Sequence, residues 1–409
     1  MPALAPSPSP SPFASVQQAA RDPILGLTEA FHNDSRPVKV NLGVGVYLTE
    51  SGKVPLLQCV HQAEEALAAA ALAKNYLPID GAPVYNKAVR ELLFGSNSPL
   101  IATSRVVTVE TLGGTGGLKV GADYLRRLLP QSQVAISNPS WENHRAIFEM
   151  AGFGVVNYHY YDPVRRGVDF EAMCSSLASL PQGTIAVLHG CCHNPTGADL
   201  EESQWDTVIG LCAEKGLFPF LDMAYQGFWK GLADDTLAVR KFADSGLSFM
   251  VSNSFSKSLS LYGERVGALS IVTGNATETA NVLSQIKRTI RTNYSNPPTH
   301  GGAIVASILN SPDLRALWET ELTEMRERIR TMRHELVKGL EALKVSQDFS
   351  FVTRQNGMFS YSGLKASQVE LLQTQYGIYA RSTGLICVAA LNSKNVGYVC
   401  EAIAEAVKQ

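Results

Sequence analysis

The chain has 409 residues, of which 45% are hydrophobic and 18% charged, and its formal net charge at pH 7 is -2. One hydrophobic core rarely serves so long a chain, so we expect two domains or one large α/β domain with a smaller one attached. The near-neutral charge gives no electrostatic sign of nucleic-acid binding, and no apolar run approaches the roughly 18 residues of a membrane span. We therefore predict an ordinary soluble protein without a nucleic-acid or membrane partner.

The cysteines and the N-terminus indicate a cytoplasmic protein. The seven cysteines are scattered and odd in number, which does not suggest a disulfide framework. The stretch HGCCH at 189–193 offers His and Cys side chains, but adjacent residues of an extended segment point to opposite faces, so we predict no metal site. Residues 1–12, rich in Pro and Ser and without the apolar core of a targeting signal, are a predicted disordered tail.

From residue 22 onward, the apolar pattern predicts helices and strands in alternation. In the first part we predict a helix at 22–34, an extended segment at 38–48, a helix at 58–74, a strand at 104–112, a glycine loop at 113–117, a helix at 118–129, a strand at 132–138, a helix at 141–153 and a strand at 154–161. Further along we predict strands at 184–192, 217–226 and 248–257 with a helix at 203–216, a long helix at 314–343, short strands at 358–364, 377–381 and 385–391, and a final helix at 395–409.

This alternation predicts the fold class. Strands written as continuous apolar runs between helices are typical of a mostly parallel sheet in an α/β domain. We place that large domain at 56–324. Residues 13–55 together with 325–409, which contain shorter strands and helices, form a predicted smaller α+β domain.

Distinctive side chains occur where predicted strands end, and ligands bind at the carboxyl ends of strands in such sheets. The glycine-rich stretch 111–120 either binds phosphate through free backbone N–H groups or is a tight turn. Asp222 ends an apolar strand and requires a partner, which a helix cap, a metal or a ring N–H of a ligand would provide. Tyr225 follows three residues later and could reach the same ligand.

Lys257 lies in the stretch SNSFSKSLSLYGERVG. Hydroxyl groups at Ser254 and Ser256 and the guanidinium of Arg265 suit a phosphate dianion, and partial burial would make the lysine amine a nucleophile for a carbonyl. The alternative is a surface lysine in a Ser-rich loop. Asn194, which precedes a proline, and Arg291 lie in irregular segments of the kind that line binding sites.

A single ligand requires all of these groups. Pyridoxal phosphate needs a lysine for its aldehyde, an acidic partner for its pyridine nitrogen, and a glycine turn with hydroxyls and an arginine for its phosphate. The combination is much more specific than its parts, and it predicts this cofactor.

Six stretches also form a recognisable set: HNPTGADL, LDMAYQGF, SNSFSKSLSLYGERVG, YSNPP, GMFSYSGL and CVAALN. The set resembles the class I, fold type I aminotransferases, in the branch of the aspartate and aromatic (tyrosine) enzymes, and the similarity runs from about Phe13 to the C-terminus. The resemblance implies a large domain with a mostly parallel sheet, a smaller domain, pyridoxal phosphate as cofactor, and amino and 2-oxo acids as substrates.

The resemblance also implies roles for individual residues. Lys257 would form the internal aldimine and move the proton between Cα and C4′, while Asp222 would pair with the pyridinium, supported by His144 and His189. The other implied cofactor contacts are Tyr225 and Asn194 at the phenolate oxygen, Trp141 on the ring face, Gly114, Thr115, Ser254, Ser256 and Arg265 at the phosphate, and the partner subunit's Tyr76. Implied substrate contacts are Gly45, Trp141, Asn194, the residue at 385 and the partner subunit's Arg291, which makes the enzyme a homodimer.

One position departs from the family pattern. The family has an arginine that forks onto the substrate's α-carboxylate, and this chain has Leu385 there, in STGLICVAAL. Loss of one partner of such a charge pair typically costs about 2 to 5 kcal/mol. If the segment is extended, Arg381 lies roughly 13 Å upstream, beyond the reach of its side chain unless the STG turn folds back.

The leading hypothesis is therefore a pyridoxal-phosphate enzyme that transfers the amino group of an aromatic or dicarboxylic amino acid to a 2-oxo acid. An alternative keeps the cofactor but changes the reaction to decarboxylation, elimination, replacement or a specialised biosynthetic step, because the arginine is absent. Leu385 could also be an engineered or inactivating substitution. A nucleotide-dependent oxidoreductase is the alternative from another class, and the glycine turn argues against it because it does not match GxGxxG.

Overall fold

The computed structural model describes residues 11–19 and 23–409. Within this part of the chain the helices are α1 (Pro23–Asn33), α2 (Gln58–Ala70), α3 (Pro83–Phe94), α4 (Pro99–Ala102), α5 (Gly113–Leu128), α6 (Glu142–Met150), α7 (Phe170–Ala178), α8 (Glu202–Lys215), α9 (Leu237–Asp244), α10 (Ala276–Asn293), α11 (Thr299–Asn310), α12 (Pro312–Ala342), α13 (Ala366–Tyr376) and α14 (Val396–Val407). The strands are β1 (Val40–Asn41), β2 (Val106–Leu112), β3 (Val134–Asn138), β4 (Val155–His159), β5 (Tyr161–Asp162), β6 (Gly167–Val168), β7 (Ile185–His189), β8 (Phe218–Met223), β9 (Phe249–Ser254), β10 (Val266–Val272), β11 (Phe359–Tyr361), β12 (Ile378–Tyr379) and β13 (Leu385–Cys387).

The large sheet has the order β2-β10-β9-β8-β7-β3-β4 among the described strands. Strands β9, β8, β7, β3 and β4 pair in parallel, whereas β10 is antiparallel to both of its neighbours. Strands β7, β9 and β10 are buried along their whole length, as expected for a sheet covered on both faces. The predicted α/β fold with a mostly parallel sheet is confirmed.

Two hydrophobic cores lie on the two faces of this sheet. On one face, Leu125 of α5, Phe148 of α6 and Ile290 of α10 belong to a single cluster of buried side chains. On the other face, a larger cluster includes Trp205 of α8 and Trp318 of α12 and continues into the C-terminal strands and α14. This packing fixes the strand ends, which carry the predicted site residues.

The reversed strand β10 has a direct effect on the site. Because β10 runs against its neighbours, its first residue, Val266, pairs with Leu112 at the end of β2. Gly267 pairs with Ser254 at the end of β9. Arg265, which immediately precedes β10, therefore lies at the same edge of the sheet as the residues that follow β2 and β9.

The C-terminal part contains the small sheets. Strand β11 pairs with β13 in antiparallel fashion, and β1 from the N-terminal segment pairs with β12 in parallel. This pairing joins the N-terminal segment to the C-terminal strands. The domain division at 324–325 stays a prediction, and the single helix α12 runs continuously across it.

Two local predictions require correction, and one falls largely outside the described residues. The predicted loop 113–117 forms the first turns of α5, because Gly113 turns the chain at a φ of 68° and the helix starts at once. The predicted extended segment 38–48 contains only the short strand β1, since its glycines interrupt the pairing. The predicted tail at 1–12 lies outside the described residues, except for Ser11 and Pro12.

Candidate active site

A cavity of about 230 Å³ lies at the carboxyl edge of the large sheet. It is the place where the ends of β2, β8 and β9 and the start of β10 come together. Among the predicted site residues, the cavity is lined by Gly45, Gly114, Thr115, Trp141, His189, Asn194, Asp222, Tyr225, Ser254, Ser256, Lys257 and Arg265. Residues distant in sequence thus share one space.

Asp222, near the end of β8, is a buried carboxylate with a built partner. Its Oδ2 accepts a hydrogen bond from Nε2 of His144 at 2.8 Å, and Nδ1 of His144 faces the hydroxyl of Ser140 at 3.0 Å. Burial alone would raise the pKa of Asp222, but the hydrogen bond and the positive charge nearby, including that of Lys257, lower it below its ordinary value. Asp222 is therefore held as an anion at the floor of the cavity.

Three further polar groups, His189, Asn194 and Tyr225, line the cavity with this carboxylate. His189, at the end of β7, has its ring centre 5.0 Å from that of His144, and burial lowers the pKa of His189 to about 3, which keeps it neutral. Asn194 donates from Nδ2 to the hydroxyl of Tyr225 at 3.3 Å. Burial, together with the charge of Asp222, raises the pKa of Tyr225, so its phenol remains protonated.

Lys257 lies in the turn that follows β9. Its neighbours Phe255 and Leu259 are buried in the core, so the backbone is anchored and the amine extends into the cavity. The Nζ atom lies 5.0 Å from the ring centre of Tyr225. Burial, with a contribution from Arg265, lowers the pKa of Lys257, although the charge of Asp222 opposes the shift. A lowered pKa makes the amine a better nucleophile and proton carrier.

Another part of the cavity wall forms a cradle for an anion. Helix α5 begins at Gly113, and the first N–H groups of a helix have no partner within it. A Cβ added at Gly113 would lie 2.8 Å from Nη2 of Arg265, and one at Gly114 would lie 3.2 Å from Cβ of Ser254. The hydroxyls of Ser254 and Ser256 are 3.1 Å apart. Backbone N–H groups, hydroxyls and a guanidinium therefore lie close together at a place where any side chain at Gly113 or Gly114 would fill the space.

Two predicted residues lie away from the cavity of this subunit. Tyr76 is 92% exposed. Arg291, near the end of α10, is also exposed, and its Nη1 donates to Ser295. Both were predicted to act on the partner subunit's site, so their roles stay predictions.

Leu385 and Arg381 differ from the sequence-based expectation. Leu385 begins β13, is 1% exposed, and does not line the cavity, whereas Arg381 does. The expectation of an extended segment between them is wrong, because Arg381 N–H donates to the carbonyl of Leu385 at 3.2 Å and Gly384 N–H donates to the carbonyl of Arg381 at 2.8 Å. The STG turn folds back and places the arginine beside the site.

Sequence reasoning missed several residues of the cavity wall, namely Leu118, Ala224, Tyr262 and Phe359. The hydroxyl of Tyr262 accepts a hydrogen bond from Tyr47 N–H at 2.9 Å, which joins the N-terminal segment to the lysine turn. The aromatic residue five places after Lys257 was the available signal. Phe359 approaches Gly45 so closely that a Cβ at Gly45 would lie 2.8 Å from its ring, a tertiary contact that no local pattern announces.

Two groups of side chains among the described residues have the spacing of metal ligands. One consists of His144, His189 and Asp222, of which His189 and Asp222 line the cavity. The other consists of Cys191, Cys192 and Asp235. The carboxylate of Asp235 accepts hydrogen bonds from three backbone N–H groups, which satisfies it without an ion. The seven cysteines, all within the described ranges, are free thiols.

Comparison with known proteins identifies the family. The model of "Aminotransferase class I and II" matches residues 37–403. The chain belongs to this family. It is 60% identical over 393 residues to the aspartate aminotransferase of Pseudomonas aeruginosa, covering 96% of this chain and 99% of that protein. It is 49% identical over 393 residues to the aromatic-amino-acid aminotransferase of Escherichia coli, with the same coverage.

A solved structure agrees with these relatives. The aromatic-amino-acid aminotransferase of Burkholderia pseudomallei, covalently bound to pyridoxal phosphate, superimposes with a TM-score of 0.96 at 59% identity, covering 97% of this chain and all of that one. Family membership confirms the predicted fold type, the predicted enzyme class and the predicted cofactor, and it overturns the oxidoreductase alternative. The decarboxylation or elimination alternative is not favoured, because the relatives are named aminotransferases.

The residues of this chain fit the cofactor. Both ring nitrogens of His189 and Oδ1 of Asn194 are buried without a hydrogen-bond partner among the described residues, so the cavity contains polar groups that a ligand would complete. The cradle at Gly113 and Arg265 suits a phosphate, and the same cavity is lined by an anionic carboxylate, Asp222, and a lysine of lowered pKa, Lys257. None of the described helices is long and apolar enough to cross a bilayer.

Proposed function

We propose that this enzyme transfers the amino group of aromatic and dicarboxylic L-amino acids to a 2-oxo acid, with pyridoxal phosphate held in the cavity described above. The observation that carries the proposal is the joint placement of Lys257, Asp222 and the phosphate cradle in one space. Relatives named for aspartate and for aromatic amino acids are similar over nearly the whole chain, which supports both substrate classes.

Each group has a defined task in this proposal. When bound, pyridoxal phosphate supplies an aldehyde for the substrate amine and a ring that accepts the electrons of a broken Cα bond. Asp222, kept anionic by His144, would keep the pyridine nitrogen protonated. Asn194 and Tyr225 would hold the ring oxygen, and Trp141 would pack on the ring; all three line the cavity. Gly114, Thr115, Ser254, Ser256 and Arg265 would hold the phosphate.

Lys257 is the proton carrier in this scheme. Its lowered pKa leaves a larger share of the amine neutral near pH 7, so the amine can accept a proton from the substrate Cα and deliver it again. Its position in a turn anchored by buried Phe255 and Leu259 limits the motion of the backbone, so only the side chain has to move.

A first experiment compares wild-type protein with Lys257→Ala. We expect the purified wild type, supplied with pyridoxal phosphate, to have the absorbance of lysine-bound cofactor and to form the 2-oxo acids of tyrosine and aspartate with 2-oxoglutarate. Lys257→Ala is expected to lose that absorbance and at least the roughly 10²- to 10⁴-fold that proton transfer contributes to the rate. Lys408→Ala, which changes an exposed lysine near the C-terminus, serves as the matched control.

The outcomes separate the alternatives. Unchanged absorbance and rate in Lys257→Ala would sink the proposal. Release of CO2 from the substrate in place of 2-oxo acid formation would instead favour the decarboxylase alternative.

We further propose a homodimer in which the partner subunit's Tyr76 and Arg291 complete each site, and a cytoplasmic location. The exposure of Tyr76 and Arg291 supports the first, because neither side chain serves the cavity of its own subunit. The free thiols of the seven cysteines support the second.

Hybrid dimers test the sharing of sites. Lys257→Ala and Arg291→Met subunits, each poor with aspartate alone, are unfolded and refolded together in equal amounts. Random pairing makes half of the dimers hybrid, and each hybrid has one intact site of two, so we expect about a quarter of the wild-type aspartate activity. If each arginine instead served its own subunit, mixing would restore no aspartate activity.

A further inference from the structure

Arg381 is a second guanidinium in the cavity, and unlike Arg265 it comes from the C-terminal part of the chain. Its side chain lines the cavity and is only 12% exposed. The charge of Arg381 acts on Tyr225, where it opposes the rise in the pKa of the phenol that burial causes. Because Arg265 already belongs to the cradle, Arg381 is available for a different anion.

The backbone turn fixes the position of Arg381. The turn closes through hydrogen bonds between Arg381 and both Leu385 and Gly384, and Gly384 has a φ of 83°. A Cβ at Gly384 would lie 2.7 Å from the carbonyl oxygen of Leu364, so the turn accepts only glycine there. Leu385 is held in β13 opposite Tyr361, which leaves Arg381 as the residue of this turn that reaches the cavity.

The present partner of Arg381 is Glu142. Nη1 of Arg381 donates to Oε1 of Glu142 at 3.1 Å, while Nε is buried without a hydrogen-bond partner among the described residues. Glu142 starts α6, directly after Trp141, so this ion pair links the large sheet to the small C-terminal sheets at the cavity. Glu142 is 51% exposed, and ion pairs with so exposed a partner add little stability.

We infer that Arg381 is the receptor for the substrate's α-carboxylate, and that the carboxylate of Glu142 occupies this receptor until a substrate displaces it. The inference rests on the proposed aminotransferase function, which requires a substrate with that group. An incoming carboxylate gains the unpartnered Nε as well as the Nη groups, a two-point contact that Glu142 does not make. Glu142 returns to solvent at small cost because it is already half exposed. The exchange also releases the link between the two parts of the chain when substrate binds.

Calorimetric titration of the holoenzyme tests the receptor without turnover. The probes are 3-phenylpropanoate and succinate, which have a carboxylate but no amine, and 3-phenylpropanamide as the neutral analogue. Arg381→Met is expected to weaken the binding of both carboxylates by about 30- to several thousand-fold and to leave the binding of the amide unchanged. The carboxylate affinity of Arg381→Lys is expected to lie between those of Arg381→Met and the wild type. Arg240→Met, which removes an exposed arginine of α9, is the matched control and is expected to change nothing.

The Glu142→Gln variant tests the displacement. If Glu142 competes with the substrate, its removal should strengthen carboxylate binding by up to about fivefold, the size of an exposed ion pair. A purely structural ion pair predicts the reverse, weaker binding in Glu142→Gln. Equal loss of carboxylate and amide binding in Arg381→Met, or a wild type that binds neither carboxylate, would overturn the inference.

The cofactor spectrum keeps this inference separate from the proposed function. Arg381 does not belong to the phosphate cradle, so Arg381→Met should retain the absorbance of lysine-bound cofactor. If the wild type lacks that absorbance, the proposed function fails. If the absorbance is normal in both proteins and carboxylate affinity is unchanged in Arg381→Met, only the assignment of Arg381 fails.

Discussion

The cavity wall has two regions that are built from different kinds of backbone, the proposed cofactor end around Asp222, Ser254 and Arg265 and the proposed substrate end around Arg381. At the cofactor end, Asp222, Ser254 and Arg265 lie on or directly beside strands of the large sheet, with partners in place. At the substrate end, Arg381 lies in a turn between two very short strands, and its ion-pair partner is half exposed. The difference suggests that the cofactor end is fixed by the sheet, whereas the substrate end is set by a turn that tolerates change in sequence.

The largest expected effect is at the cofactor end, in Asp222→Asn. This change removes the buried charge that faces His144 and would leave the pyridine nitrogen without an anion. We expect a loss of about 2 to 5 kcal/mol in transition-state stabilisation, measured as kcat/KM with tyrosine and with aspartate. Asp222→Glu, which keeps the charge, should lose less of kcat/KM. Equal losses of kcat/KM in the two variants would mean that the shape of the side chain matters rather than its charge.

Gly113→Ala tests the rigidity of the phosphate cradle. A residue with a Cβ at a φ of 68° costs about 1 to 2 kcal/mol, and the new methyl group would also displace Arg265. We expect cofactor affinity to fall about tenfold or more, by equilibrium dialysis. Gly154→Ala, at a site with open space around it, should retain the cofactor. Unchanged affinity in Gly113→Ala would show that the cradle adapts.

The free energy of unfolding is also expected to depend on pH, by about 2 kcal/mol, through His189 at the cofactor end. Burial lowers the pKa of His189 to about 3, whereas the unfolded chain binds this proton below about pH 6.5. The unfolded state therefore binds more protons between these values, and stability falls as the pH drops below 6.5. His189→Asn should reduce the loss of stability between pH 7.5 and pH 5 by about that amount, in urea titrations.

His334→Asn, which changes an exposed histidine of α12, is the control for this pH experiment. It should leave the pH dependence of stability as it is in the wild type. An equally steep loss of stability in His189→Asn and in the wild type would contradict the assignment.

The smallest expected effect is at the substrate end, in Gly384→Ala. A φ of 83° costs a residue with a Cβ about 1 to 2 kcal/mol, and the turn should shift away from Leu364. We expect a higher KM for amino acids with normal cofactor absorbance, because only the arginine moves. Gly397→Ala, in α14 with open space around it, is the matched control. Loss of cofactor in Gly384→Ala would mean that the two ends are not independent.

The meeting of several predicted site residues in one cavity could be foreseen from the sequence, for physical reasons. Strand ends in a parallel sheet meet at one edge, so Asp222, Asn194 and Lys257 could be grouped before any contact was known. The substrate end could not be predicted in this way. Whether Arg381 reaches the cavity depends on the turn at Ser382–Gly384, and the closeness of Phe359 to Gly45 depends on tertiary packing. The proposed roles of Tyr76 and Arg291 concern a second subunit and so depend on an assembly that one chain does not contain.

The reversed strand β10 has a consequence for how the protein unfolds. Because it brings Arg265 beside Gly113 and Ser254, a phosphate in the cradle is bound by three segments that are far apart along the chain. A ligand that requires all three cannot bind the unfolded chain, and at a hundredfold excess over Kd it adds about 2.7 kcal/mol of stability. Cofactor supply should therefore set the lifetime of the folded protein, with cofactor-free chains being the first that proteases remove.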